Sequence, residues 1–292
     1  MTIIPTKARL ALLALGVSVL PMGAQEPNFR PVAQSLGPED RPVFPVPPAG
    51  FDVRRENIPH GRTELRDYAS KTVGTQRKLL VYTPPSYDPK ASYDVLYLLH
   101  GIGGDELEWQ KCCAPEAILD NLMAEKKIKP MIVVFPNGRA QANDRAEGNI
   151  YQAAPAFENF TGDLLNDVIP FIEANYLVKK GPEHRAIGGL SMGGGQTLNI
   201  GLSHPETFGW VGGFSSAPNT RSPLFKDANT LKSMKLIYIA CGDNDGLLSF
   251  SQRAHGELKK AGINHIWHIN PGKHDPEVWK MDLYHYSQLL FK

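Results

Sequence analysis

The chain has little net charge, few cysteines and no apolar run long enough to be a convincing membrane span. Over 292 residues the formal net charge is only +1, which argues against a nucleic acid or an anionic membrane surface as the partner. Histidines, cysteines and carboxylates do not cluster at the spacing of a metal site, so no metal and no other cofactor is predicted. What remains is an ordinary globular composition, long enough for one large domain with a substantial core.

Three cysteines are present, Cys112, Cys113 and Cys241. The first two are adjacent, and a disulfide between neighbours strains the backbone. The spacing leaves open whether Cys241 forms a bridge with one of the pair or all three remain free thiols.

The N-terminus has the pattern of an export signal. Lys7 and Arg9 precede an apolar stretch over residues 10–20, which is shorter than a comfortable bilayer span. Small residues ending at Ala24 follow, as at a signal cleavage site. We therefore predict a signal peptide over residues 1–24, a mature protein without a membrane span, and a secreted or periplasmic location.

Seven prolines and no hydrophobic periodicity mark the stretch that follows the signal. Such a composition is typical of an extended linker, so residues 25–55 are predicted to be a proline-rich tether. The remaining residues, 56–292, are predicted to form a single catalytic domain without internal repeats.

Strands and helices alternate through this domain. A hairpin is predicted over residues 62–83, followed by near-continuous apolar strands such as Tyr93–Leu99 and Met131–Phe135. Amphipathic helices lie between the strands up to the C-terminus. The pattern predicts an α/β fold with a mostly parallel central sheet and helices on both faces, whose ligands bind at the carboxyl ends of the strands.

One segment of this pattern carries a recognisable chemical motif. Gly189, Ser191 and Gly193 form a Gly-x-Ser-x-Gly sequence between a short apolar strand and a helix. That is the nucleophile elbow of the α/β-hydrolase fold, in which glycines allow a tight turn with the serine at its apex. Ser191 is therefore the predicted nucleophile.

A serine nucleophile needs a base and an acid, which follow it in the order acid, then histidine, in this fold. His274 lies in a glycine-containing loop between the last predicted strand and the last helix, so it is the candidate base. Asp243 and Asp245 both follow the end of an earlier strand. Either could orient the imidazole, and the residues alone do not separate them.

Two backbone N–H groups are needed to bind a developing oxyanion. Met192 directly follows the nucleophile, and Ile102 lies in a glycine-rich loop after the strand that ends at Leu99. Both are predicted as oxyanion donors. A phosphate-binding loop is the alternative interpretation of these glycines, but no Gly-Lys-Ser/Thr or dinucleotide signature follows them.

From about Tyr93 to Trp279 the chain resembles the esterase D-like α/β-hydrolases, and within them the feruloyl esterases of carbohydrate esterase family 1. The resemblance rests on segments spread along the domain: Leu98–Gly104, Ile128–Pro130, Glu158–Phe160, His184–Gly195, Ala217–Thr220, Ala240–Asp245, His274–Asp275 and Trp279. It implies that the acid is the second aspartate of the Gly-x-Asn-Asp turn, which is Asp245.

The resemblance also implies a secreted serine esterase that removes ferulate or acetate from plant arabinoxylan, with feruloylated or acetylated polysaccharides and oligosaccharides as partners. Feruloyl ester hydrolysis through an acyl-enzyme is the predicted activity. Acetylxylan and siderophore esters are the alternatives within the fold. A hydrolase-fold binding module without activity is the alternative outside enzymes, and the complete set of catalytic side chains disfavours it.

Three aromatic residues are candidates for an aromatic acyl pocket. Trp109 follows the predicted oxyanion loop, Trp279 follows His274, and Tyr151 lies in a long polar segment after a strand end. Packing in the core is the alternative role for each of them.

Overall fold

The computed structural model describes residues 35–292 of the chain. The predicted signal peptide and the first part of the predicted tether lie outside the described residues. Within the described part, no helix is both long and apolar enough to cross a membrane.

Eight strands form one twisted sheet in the spatial order β1-β2-β4-β3-β5-β6-β7-β8. The β1–β2 and β2–β4 pairs are antiparallel, and every other pair is parallel. This confirms the predicted α/β-hydrolase fold. The strands are β1 Arg62–Ser70, β2 Thr75–Thr83, β3 Asp94–Leu99, β4 Met131–Pro136, β5 Arg185–Leu190, β6 Trp210–Phe214, β7 Leu236–Gly242 and β8 Ile266–Asn270.

Helices cover both faces of this sheet, as the near-continuous apolar strands require. The α-helices are α1 Glu108–Cys112, α2 Pro115–Ala124, α3 Ala156–Asp163, α4 Ile169–Asn175, α5 Met192–Gly201, α6 Leu248–Lys260 and α7 Pro276–Leu289. Residues of α1, α2 and α7 pack in one hydrophobic cluster, and residues of α3 to α6 pack in the other. Along β3, Leu96 and Leu98 point into the first cluster, whereas Val95, Tyr97 and Leu99 point into the second.

The amphipathic helix predicted around Phe160–Ile172 is present, but it is not uniform. A π-helical stretch, Leu164–Val168, separates α3 from α4. Such insertions shift the side-chain register without ending the helix. Phe160 and Ile172 therefore both face the sheet and are fully buried.

The prediction of an extended tether is corrected for residues 35–55, which pack against the domain. The Asp40 carboxylate accepts a hydrogen bond from Trp267 Nε1 at 2.8 Å. The Phe44 ring stacks on His285 with centroids 5.0 Å apart. Proline-rich composition removes regular secondary structure, but it does not prevent single polar and aromatic side chains from anchoring an irregular segment.

Cys112, Cys113 and Cys241 all lie in the described part of the chain and are free thiols there. Cys241 is the penultimate residue of β7 and is buried close to Ser215 Oγ. Residues 35–292 also contain no group of three or more histidine, cysteine or carboxylate side chains suited to a metal ion.

Candidate active site

Ser191 lies at the turn between β5 and α5, at the carboxyl edge of the sheet. Its backbone has φ 54° and ψ −117°, a conformation that few side chains adopt without strain. The turn is tight, since a Cβ on Gly189 would lie 2.6 Å from the Gly193 carbonyl oxygen. A Cβ on Gly193 would lie 2.5 Å from the carbonyl oxygen of His100. Both glycines are therefore required by the close approach of the backbone.

His274 lies in the loop between β8 and α7 and contacts the nucleophile directly. Its Nε2 is 2.9 Å from Ser191 Oγ, and its Nδ1 is 2.9 Å from Asp245 Oδ2. The carboxylate can only accept at Nδ1, so this nitrogen carries the proton and Nε2 is free to accept the serine proton. The Trp279 ring packs edge-on against the imidazole at 5.2 Å between centroids. The three polar side chains thus have the arrangement by which a histidine and a carboxylate can activate a serine.

The two aspartates after β7 have different positions. Asp245 is buried beside His274, and its Oδ1 accepts a hydrogen bond from the Leu247 N–H at 2.7 Å. Burial alone raises the pKa of Asp245, but the hydrogen bonds from His274 and Leu247 more than offset it, so the net pKa lies below the ordinary aspartate value. Asp243 instead accepts the Gly272 N–H at 2.9 Å. Asp243 therefore shapes the histidine loop and does not contact the imidazole.

The two predicted oxyanion donors lie on either side of the nucleophile. Met192 is the first residue of α5, and the first N–H groups of a helix have no partner within it. A Cβ on Gly101 would lie 3.5 Å from Ser191 Cβ, so the loop after β3 runs beside the serine. The side chains of Ile102 and Met192 pack in the same small cluster, together with Phe157.

A cavity of about 200 Å³ opens beside Met192, between α3, one side of α5 and the loop after β6. Its lining is Ala154, Pro155, Phe157, Glu158, Thr161, Met192, Gln196, Asn199, Ile200, Asn219 and Arg221. No residue of the His274 loop lines it. Two buried amide oxygens in this set, Gln196 Oε1 and Asn219 Oδ1, have no hydrogen-bond partner in the described structure. Because both oxygens are buried, they are not exposed to a molecule bound in the cavity.

Sequence reasoning missed this cavity. Gln196 and Asn219 have ordinary positions in a helix and a loop, and nothing in the local pattern marks their oxygens as unpaired. Asn219 does lie in one of the segments that carry the family resemblance, which was the only signal available.

The three predicted substrate-binding aromatics have three different environments. Trp109 is only 1% exposed, packs in the core and donates from Nε1 to the Leu99 carbonyl at 3.1 Å, so its assignment to the substrate pocket is corrected. Its ring packs edge-on against Phe214 in the core. Tyr151 is 67% exposed on a short 3₁₀ turn, and Trp279 is partly buried beside His274.

Comparison with known proteins agrees with this geometry. A family model with the description "Putative esterase" matches residues 70–288. The chain belongs to this esterase family. An endo-1,4-beta-xylanase/feruloyl esterase of Xylanibacter ruminicola is 34% identical over 85% of the chain. The match spans only 34% of that relative's length, so the chain corresponds to about a third of it.

A second relative, an acetyl esterase of Caldicellulosiruptor saccharolyticus, is 26% identical over 63% of the chain and 78% of its own length. Among solved structures, a family 1 ferulic acid esterase of Anaeromyces mucronatus superposes with a TM-score of 0.75 and 27% identity. That match covers 84% of this chain and 96% of the other. The resemblance to carbohydrate esterase family 1 is confirmed, and this esterase-family chain is a serine ester hydrolase.

Proposed function

We propose that this esterase is exported and hydrolyses feruloyl and related hydroxycinnamoyl esters of plant cell-wall arabinoxylan through an acyl-enzyme on Ser191. The observation that carries the proposal is the hydrogen-bonded chain from Ser191 through His274 to Asp245, with a cavity beside Met192. The feruloyl and ferulic acid esterases among its relatives support the choice of ester.

In the proposed reaction, Ser191 Oγ attacks the ester carbonyl carbon while its proton moves to His274 Nε2. The carbonyl oxygen becomes an oxyanion held by the N–H groups of Ile102 and Met192. The intermediate collapses when the bond to the alcohol oxygen breaks and that oxygen takes the proton from His274. A water molecule then repeats the sequence on the acyl-enzyme, which releases the carboxylic acid and regenerates Ser191.

The position of the histidine distinguishes the two ends of the substrate. The alcohol oxygen must lie near His274 to receive its proton, so the acyl group extends away from the imidazole. The cavity beside Met192 has no lining residue from the His274 loop and therefore suits the acyl group. The Phe157 ring lines this cavity and can pack against a phenyl ring.

The sugar end of the substrate is then expected on the opposite side, near His274. Trp279 borders the imidazole on that side and is the proposed apolar contact for the sugar. Tyr151, on the exposed turn after β4, is a second proposed contact for a polysaccharide chain. Export follows from the signal peptide predicted over residues 1–24 and would bring the enzyme to such polymers.

Acetyl ester hydrolysis is the second candidate, because one relative is an acetyl esterase. An acetyl group needs far less space than a cavity of about 200 Å³. This difference in size favours the larger aromatic acyl group.

The deciding measurement is kcat/KM for methyl ferulate, methyl cinnamate and acetylated xylan, with Ser191→Ala as the inactive control. We expect methyl ferulate to be hydrolysed best, and Ser191→Ala to lower kcat by about 10⁴-fold or more. Methyl cinnamate measures how much the phenolic hydroxyl and methoxy groups of ferulate contribute. Efficient deacetylation of xylan with no activity on methyl ferulate would contradict the feruloyl proposal and leave only the acetyl alternative.

A further inference from the structure

The loop after β3 carries the proposed donor Ile102, and side chains from three places in the fold hold its backbone. The Gly101 N–H donates to Glu108 Oε2 at 2.6 Å. The Gly101 carbonyl lies 2.7 Å from Nδ1 of His100, and the Ile102 carbonyl accepts from the Arg139 guanidinium. Three successive peptide units therefore each have a side-chain partner, supplied from the end of β3, from α1 and from the segment after β4.

The contact from His100 fixes the peptide unit between Gly101 and Ile102, whose N–H is the proposed oxyanion donor. Nε2 of His100 accepts the Gly138 N–H at 2.8 Å, so the ring proton is on Nδ1 and is donated to Gly101. Burial lowers the pKa of His100, which keeps the ring neutral in this tautomer. The Gly101 carbonyl and the Ile102 N–H belong to one planar trans peptide and point in opposite directions. Holding the carbonyl therefore also sets the direction of the Ile102 N–H.

Glu108 fills the inside of the loop. A Cβ on Gly104 would lie 2.4 Å from Glu108 Oε2, so this glycine leaves the space that the carboxylate occupies. A negative charge this close to the oxyanion site opposes the charge that forms there. The buried Arg139, which binds the same loop, offsets that charge. Because the charge of the carboxylate opposes the oxyanion, Glu108 contributes through the position of its acceptor oxygen and not through its charge.

We propose that Glu108 is a positioning residue for the oxyanion hole, acting as a hydrogen-bond acceptor for the Gly101 N–H. By holding this N–H, Glu108 keeps the next donor, Ile102 N–H, directed at the reacting carbonyl oxygen. It acts through Gly101 and does not contact the substrate. The proposal rests on the esterase function proposed above, and it adds a residue whose acceptor oxygen, and not its charge, sets the rate.

Two substitutions separate the acceptor from the charge. Glu108→Gln keeps the shape and an acceptor oxygen, whereas Glu108→Leu keeps similar bulk without an acceptor. Loss of an oxyanion donor costs about 10²–10³-fold in kcat, so a misdirected donor should cost about 10- to 100-fold. We expect Glu108→Leu to lower kcat for methyl ferulate and p-nitrophenyl acetate by that factor, with KM nearly unchanged and the protein still folded. Glu108→Gln should retain kcat within about threefold of wild type on the same scale.

The rate of covalent labelling by a fluorophosphonate reports on the oxyanion hole without requiring ester turnover. A fluorophosphonate places its phosphoryl oxygen where the oxyanion forms, so its second-order rate of reaction with Ser191 should fall in Glu108→Leu by a factor similar to that of kcat. Glu116→Leu is the matched control, because Glu116 is also a partly buried glutamate on a neighbouring helix, α2, outside the site. Both kcat and the labelling rate should be unchanged in this control.

Wild-type rates in Glu108→Leu would overturn the proposal, and so would a Glu108→Gln variant as slow as Glu108→Leu, since the charge would then be decisive. These results leave the esterase function intact. If the wild-type protein neither hydrolyses esters nor reacts with the fluorophosphonate, the esterase function and the positioning role both fail.

Discussion

Asp245 Oδ2 lies 2.9 Å from Nδ1 of His274, although another aspartate, Asp243, lies only two residues earlier in the same turn. Asp243 uses its carboxylate to hold the Gly272 N–H of the histidine loop. One aspartate thus orients the ring and the other orients the loop that carries the ring.

Exchanging each carboxylate for an amide should separate these two roles. Asp245→Asn removes the anion that holds the Nδ1–H tautomer, and we expect kcat to fall by about 10³–10⁴-fold. Asp243→Asn retains an acceptor oxygen for Gly272 and should lower kcat by less than about tenfold on the same scale. Steady-state kinetics on methyl ferulate check both values. A larger loss in Asp243→Asn would move the acid to that residue.

The proposed acyl cavity can be tested by filling it. Ala154 lines the cavity and is partly buried, so Ala154→Phe places a ring in the space proposed for the ferulate. We expect kcat/KM for methyl ferulate to fall at least about tenfold, the effect of roughly 1.4 kcal/mol of lost binding, with a much smaller loss on p-nitrophenyl acetate. Gln152→Phe adds the same ring at an exposed neighbour outside the cavity and is the control. Equal losses on both esters in Ala154→Phe would place the acyl group elsewhere.

His285 should make the stability of the enzyme depend on pH. Its ring is buried against Phe44, and burial, with a smaller contribution from His268, lowers its pKa from 6.5 to about 4. Between these values the unfolded chain binds more protons than the folded one, so stability falls as the pH falls through this window. The contribution from this residue is up to about 3 kcal/mol between neutral pH and pH 4.

The measurement is the free energy of unfolding by urea at several pH values between about 7 and 4, the window set by the two pKa values. His285→Phe keeps an aromatic ring against Phe44 and removes the buried, unpartnered Nε2, so its stability should depend less steeply on pH. His204→Phe, at a partly exposed histidine, is the control and should retain the wild-type slope. An unchanged slope in His285→Phe would exclude this residue as the cause.

The packing of residues 35–55 against the domain predicts that a substitution far from the active site lowers the free energy of unfolding. Asp40 accepts hydrogen bonds from Trp267 Nε1 and, at 2.6 Å, from Gln252 Nε2. Asp40→Ala leaves the partly buried indole N–H unpaired and should lower the free energy of unfolding by about 1–3 kcal/mol. Glu64→Ala, at an exposed glutamate of β1, should change it by less than about 0.5 kcal/mol. Stability equal to wild type in Asp40→Ala would show that this segment does not anchor the domain in solution.

Much of the fold and part of the candidate site could be predicted from the sequence, because both depend on local patterns. Apolar runs and amphipathic periods predict buried strands and covering helices directly. The nucleophile turn can be predicted for the same reason, since its Gly-x-Ser-x-Gly pattern is local, although the backbone that crowds Gly193 belongs to His100. The serine, the acid and the histidine follow β5, β7 and β8, and these strands lie in chain order across the sheet. The three residues therefore appear in that order along the chain.

What the sequence by itself determined is therefore the fold, the nucleophile Ser191 and the candidate base His274, each marked by residues close to it in the chain. The tertiary structure shows that Asp245 meets His274, as the family resemblance implied and the local pattern did not. Only the tertiary structure decided that Trp109 lies in the core and that Glu108 lies inside the oxyanion loop. These outcomes depend on distances between groups that packing brings together. Neighbouring aspartates, or aromatic rings near a functional loop, look alike until the chain is folded.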